Sequence, residues 1–211
     1  MGSSRNNILA RLKAAQDKRG EIGESIPDFT SPIYHPLNAS LKDEFKINLE
    51  QIGGIVEFCD TAEEIIPLVQ QITKGKGVNS VFCTDPALQN ILKDAIAIES
   101  EEKDFLTLNV GVTGCEFLVA HLGTVVISSA HISGRRLNVF PETHIVVAHE
   151  TQIVDYLDTA MEKMKEKYKN RLPSLISNIT GPSRTADIEK TLVMGMHGPK
   201  TLIVIIVHEP F

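Results

Sequence analysis

The sequence predicts an α/β protein with three layers, in which a mainly parallel β-sheet lies between two layers of helices. Short β-branched segments alternate with longer segments of helical periodicity, a pattern typical of right-handed β–α–β crossovers. The run LIVIIV has no polar alternation, which is typical of a strand covered on both faces. With 211 residues, the chain is long enough to bury a core without disulfides or a structural metal.

The sequence further predicts an N-terminal helical arm over residues 1–40 and the α/β domain over 41–211. Ser4 is placed to cap a first helix that carries apolar residues on one face. The segment 20–40 contains three prolines and little periodicity, as expected of an arm or linker. The isolated first helix is a candidate contact in a homo-oligomer.

The first half of the domain is predicted to alternate helices and strands. Apolar residues at helical spacing predict a helix over 41–52. Thr61 and Glu64 have the spacing of a capping box, and Pro67 either kinks the helix that follows or delays its start. Asp85 is expected to cap the next helix. The strands between these helices are IVEFC and VNSVFCT.

In the second half, Thr113 and Glu116 again have capping-box spacing and predict a compact turn and helix over GVTGCEFLVAHL. The strand GTVVISS follows its neighbour too closely for a full crossover, so part of the sheet is expected to be antiparallel. Thr151 precedes a long amphipathic helix that includes Ile153. The other predicted strands are FLTLNV, HIVVAH and LIVIIV.

Composition narrows the classes of partner. The net charge of −6 argues against a nucleic-acid backbone or an anionic membrane surface as the partner. No segment has the length of a membrane span, and the N-terminus lacks the apolar core of a signal peptide, so a cytoplasmic protein is expected. The three cysteines form no Cys-x-x-Cys pair and the histidines show no paired spacing, so we expect no metal and no cofactor.

The loop from Gly111 to Thr124 is the first candidate for chemistry. Glu116 is a candidate catalytic base or nucleophile, with Thr113 or the amide of Gly114 directed at an oxyanion. The alternative is structural, because a capping box explains Thr113 and Glu116 equally well.

The loop from Ser128 to His144 is the second candidate. Arg135 and Arg136 follow a Ser-Gly pair and form a plausible anion clamp, or else pair with acidic side chains in a solvated loop. His144 begins a strand, from which it either reaches a ligand or serves as a buried structural histidine.

The segments GPSRTAD and HGPK, on either side of a predicted short helix, are the third candidate. Ser183 or Thr185 would cap this helix, Asp187 would lie in its first turn, and Arg184 would meet an anion at its N-terminus. His197, a candidate catalytic residue, follows the end of the helix. We expect all three loops to meet at the carboxyl edge of the sheet and to form one site there.

Three segments resemble the LUD domain of the lactate utilization protein C family, and the likeness runs from about Leu41 to Val207. They are GVTGCEFLVAHLGTVVISS, FPETHIVVAH and ITGPSRTADIEKTLVMGMHGPKTLIVII. The resemblance implies a fold similar to the group that contains glucosamine-phosphate isomerase, ribose-phosphate isomerase and CoA transferases.

The same resemblance implies a function. It suggests the cluster-free component of a bacterial system that oxidises L-lactate to pyruvate, working with iron–sulfur partner proteins. The alternative is a free-standing enzyme or a sensor that binds a small carboxylate, phosphate or CoA ester at the loop face. By analogy with the loop glutamate of CoA transferases, that alternative would use Glu116.

Overall fold

The computed structural model describes residues 4–18, 34, 36–100, 108–185 and 193–210. The chain divides into two compact units, Met1–His35 and Pro36–Phe211. In the first unit, helix α1 spans Ser4–Lys18, which confirms the predicted helix, and its described side chains are exposed. Most of the predicted linker lies outside the described residues.

The centre of the second unit is a six-stranded sheet whose strands are all parallel, in the order β1-β12-β7-β4-β2-β3. The prediction of a mainly parallel α/β sheet is therefore confirmed. β12 pairs with a neighbour on each side, and both faces of the sheet are covered there, which explains its unbroken apolar sequence. The strands are β1 Ile55–Cys59, β2 Ser80–Phe82, β3 Ala97–Glu99, β4 Val110–Thr113, β7 Thr143–His149 and β12 Thr201–Val207.

Two helices cover one face of this sheet: α3, Ile65–Lys76, and α4, Pro86–Leu92. Pro67 lies in the first turn of α3, where its missing amide hydrogen costs no helical hydrogen bond. Of the two effects predicted for this proline, the delayed start is the one observed. The side chain of Thr61 makes no capping bond, so the capping box predicted there is wrong.

The other face is covered by α2, Leu41–Gln51, and by a second sheet of four strands in the order β8-β5-β6-β9. Helix α5, Leu157–Lys167, packs on the far side of this second sheet. The sequence predicted a layer of helices on this face, whereas the structure has a four-stranded sheet over much of it. Its strands are β5 Phe117–Val119, β6 Thr124–Ser128, β8 Ile153–Val154 and β9 Ile176–Ile179.

The second sheet corrects two local predictions. Thr113 ends β4 and Phe117 begins β5, so the helix and capping box predicted over this segment are wrong. Ile153 pairs with Leu118 in the sheet instead of opening α5. GTVVISS is antiparallel to its neighbours, as predicted, but as part of the second sheet. In both cases, β-pairing with segments that are distant in the sequence outweighs the local helical periodicity.

The helix predicted in this segment falls mostly on residues 186–192, which lie outside the described residues, but the predicted cap at Ser183 is wrong. Arg184–Thr185 form β10, which pairs antiparallel with β11, Val193–Met194. The backbone of Ser183 donates to Pro199 O at 2.8 Å and accepts from Gly195 N at 2.9 Å, so these groups are already paired and do not open a helix. Asp187 lies outside the described residues.

Candidate functional site

Glu116 is the centre of a buried polar cluster. Its residue surface is only 2% exposed, yet its carboxylate has three donors. Ser128 Oγ and Tyr168 Oη donate to Oε1 at 2.5 and 2.6 Å, and Lys167 Nζ donates to Oε2 at 2.6 Å. A buried carboxylate is stable only when it is paired in this way.

The two sheets and α5 bring these donors together. Ser128 is the last residue of β6, Lys167 is the last residue of α5, and Tyr168 caps that helix. The turn that carries Glu116 is fixed by its own backbone, since Glu116 N donates to Val126 O at 2.9 Å. Gln152 Nε2 also donates to Cys115 O at 2.8 Å. The cluster is therefore held by rigid elements on several sides.

The charges of the cluster are stabilised by one another. Burial raises the pKa of Glu116, but the hydrogen bonds from Lys167, Ser128 and Tyr168 outweigh burial and bring the pKa below its ordinary value. Burial lowers the pKa of Lys167, and the hydrogen bond and charge of Glu116 reverse that effect and raise it. Glu116 and Lys167 are thus a permanent ion pair at neutral pH. The Lys167 side chain is 50% exposed, so the ion pair is only partly buried.

His131 and Asp85 lie next to this ion pair, above Gly114. A Cβ at Gly114 would lie 3.0 Å from His131 Nε2 and 3.6 Å from Asp85 Oδ2, so the glycine leaves room for the ring. The backbone of Ser133 donates to His131 Nδ1, which places the proton of the neutral ring on Nε2. Burial lowers the pKa of His131 although the carboxylates of Glu116 and Asp85 oppose the shift.

We call this arrangement the Glu116 cluster; its members are Glu116, Ser128, Lys167, Tyr168 and His131. It combines an oriented lysine with a neutral imidazole at the carboxyl ends of β2 and β4. Lys167 has N–H donors beyond the one that Glu116 accepts, and these can hold an anion. The Nε2–H of His131 can donate a hydrogen bond to that anion. The carboxyl edge of a parallel sheet is also where α/β proteins usually bind ligands.

Thr113 and His144 are buried in the body and do not line the cluster. Their Oγ1 and Nε2 atoms are hydrogen-bonded at 2.8 Å, and both residues are fully buried. Burial lowers the pKa of His144 to about 4, so its ring is neutral. Among the described residues its Nδ1 has no hydrogen-bond partner.

Ser183, Arg184, Thr185 and His197 form a second group at the opposite edge of the sheet. His197 precedes β12, and the side chain of Arg184 lies against Gly53, just before β1 begins. These are the amino ends of parallel strands, whereas Gly114 and Glu116 follow the carboxyl end of β4. The predicted convergence of all three loops at one edge is therefore wrong, because a loop that enters a parallel strand and a loop that leaves its neighbour lie at opposite edges.

Sequence reasoning thus found two residues next to or in the cluster, Gly114 and Glu116, and missed most of their partners. His131 shows no distinctive spacing, and Lys167 looks like any exposed lysine of an amphipathic helix. The available signal was the position of Ser128 near the end of one predicted strand and of Asp85 directly after another, since strand ends supply site residues in α/β folds.

A protein with a similar fold has been solved before. A crystal structure of a DUF162 family protein from Deinococcus radiodurans superposes with a TM-score of 0.60 and 22% sequence identity, covering 82% of this chain and 99% of that one. The similarity establishes the fold. The LUD domain profile matches residues 42–207. This chain belongs to the LUD domain family.

Two bacterial relatives match part of the chain. Lactate utilization protein C of Bacillus licheniformis is 39% identical over 103 residues, which are 48% of this chain and 43% of the relative. The protein of that name from Bacillus subtilis is 37% identical over 118 residues, 55% of this chain and 49% of the relative. The matched segments span about half the length of each relative. Within the described residues, no helix is both long and apolar enough to cross a bilayer.

Proposed function

We propose that this protein is the cluster-free component of a bacterial L-lactate utilization system, in which L-lactate is oxidised to pyruvate. It would act in the cytoplasm with iron–sulfur partner proteins that accept the electrons. The observation that carries the proposal is membership of the LUD domain family together with similarity to relatives named lactate utilization protein C.

The Glu116 cluster supplies chemistry suited to this role. L-lactate and pyruvate are carboxylates, and Lys167, whose side chain is half exposed, carries an ammonium group that can bind a carboxylate. Glu116 holds that ammonium in place as a positioning residue. His131 supplies a nearby Nε2–H that can donate a hydrogen bond to the hydroxyl oxygen of L-lactate or to the keto oxygen of pyruvate.

The alternative is a free-standing enzyme or sensor for a small carboxylate, phosphate or CoA ester, with the fold of the CoA transferase group. In that case Glu116 would be the nucleophile or base. Its three short hydrogen bonds and its lowered pKa argue for the positioning role, because an attacking carboxylate would first have to lose these donors. Loss of turnover in a folded Glu116→Gln variant is what the alternative expects.

Deletion of the gene in its host tests the proposal. We expect the deletion strain to grow normally on glucose and to fail on L-lactate as sole carbon source, with growth restored by a plasmid copy. Iron–sulfur proteins should co-purify with a tagged copy from lactate-grown cells. Unchanged growth on L-lactate would refute the role.

A further inference from the structure

A pocket lies next to the loop that leads into β12, and its described lining residues include no member of the Glu116 cluster. Its volume is about 340 Å³, within the range of small-molecule sites. It is lined by β9, the loop around Arg135 and the turn that holds His197. Its polar lining residues are Arg135, Asn138, Ser177, Asn178, Thr180, Ser183 and His197.

The pocket is suited to negative charge. The chain as a whole has a net charge of −6, yet among the described residues that line this pocket there is an arginine and a histidine and no carboxylate. Arg135 is exposed, and its NH2 donates to Ser174 Oγ at 2.6 Å, which favours one orientation of the guanidinium. That bond takes one of the five N–H donors of the group. A positioned arginine of this kind suits a carboxylate or a phosphate.

The apolar part of the pocket lining favours a carboxylate over a phosphate. Its apolar residues are Ile127, Val139, Leu175, Ile179 and Pro199. Inorganic phosphate has no apolar surface to bury against such a wall. A carboxylate with a hydrocarbon skeleton does, and each buried methylene group contributes about 0.8 kcal/mol.

We propose that this pocket binds a small organic carboxylate, whose carboxylate group is held by Arg135 and whose carbon skeleton packs against the apolar wall. The proposal does not rest on a role in lactate utilization. It adds a binding site at the amino edge of the sheet to the Glu116 cluster at the carboxyl edge.

Titration of the full-length protein with acetate, butanoate and hexanoate tests this site. We expect affinity to rise roughly threefold to fourfold for each added methylene group. Hexanamide, which has the same skeleton without the charge, should bind at least tenfold more weakly than hexanoate. In amide NMR spectra, hexanoate should shift the signals of Ser183 and Gly198 and leave that of Gly114 in place.

Two variants test whether hexanoate binding depends on the charge of Arg135. Arg135→Gln should weaken hexanoate binding at least tenfold, whereas Arg11→Gln, which removes the same charge from an exposed site in α1, should leave it unchanged. The proposal is overturned if hexanoate does not bind, if it shifts Gly114 but not Ser183, or if Arg135→Gln binds it as tightly as the wild type. Affinity independent of chain length and equal to that of inorganic phosphate would also overturn it.

Discussion

Replacement of Glu116 by alanine is expected to lower the free energy of unfolding by about 2 kcal/mol, because it removes the charged acceptor of three hydrogen bonds, while the Lys167 side chain that remains is half exposed and is not left as a buried charge. The change leaves the hydroxyls of Ser128 and Tyr168 without their acceptor and removes the counter-charge of Lys167. Urea denaturation followed by circular dichroism measures this loss as a lower midpoint.

Glu142 provides the matched control. Its carboxylate lies 3.6 Å from Lys200, but both side chains are about half exposed, so Glu142→Ala should cost less than about 1 kcal/mol. Equal losses for the two variants would mean that burial and the three short hydrogen bonds of Glu116 contribute nothing measurable to stability.

Acidification is expected to destabilise the fold through His144. Burial lowers the pKa of this histidine from 6.5 to about 4 in the folded protein, while in the unfolded chain it titrates near 6.5. As the pH falls below 6.5, the unfolded state binds a proton that the folded state does not, so the free energy of unfolding decreases. Over the window between the two pKa values the loss from this one residue is about 3 kcal/mol.

The contribution of His144 is isolated by comparison with His144→Gln, which keeps a hydrogen-bonding group towards Thr113 but cannot take up a proton in this range. Other groups titrate in both proteins, so the difference between the two stability curves reports His144 alone. We expect the wild type to lose its advantage over the variant between pH 6.5 and pH 4. Parallel curves would show that His144 titrates normally when folded.

Part of the main sheet was predictable, because the signals of β1, β2, β7 and β12 are local, whereas β3 was not predicted and most of β4 lies in the segment predicted to be a turn and helix. β12 is an unbroken apolar run, and Asp85 and Pro86 fix the start of α4 by side-chain and ring chemistry within a few residues. The second sheet was not predictable in this way. β5 and β8 are short and pair across more than thirty positions, so their helical spacing was overridden by tertiary contacts.

The site was predictable only in part for a related reason. Glu116 could be nominated because its turn is unusual, but Lys167 is 51 positions away, and only the packing of α5 on the second sheet brings it to the carboxylate. Ser183 and Arg184 were assigned to a helix N-terminus from their residue types alone. Backbone pairing with the segment at 193–195 placed them in a hairpin at the opposite edge.

The central claim, that Lys167 in the Glu116 cluster serves lactate utilization, is tested most directly by growth of the deletion strain carrying single variants. Lys167→Met is compared with Lys165→Met, which removes the same charge from another exposed position of α5. With equal amounts of soluble protein, we predict that Lys165→Met restores growth on L-lactate and Lys167→Met does not. Full growth of the Lys167→Met strain on L-lactate would contradict the claim.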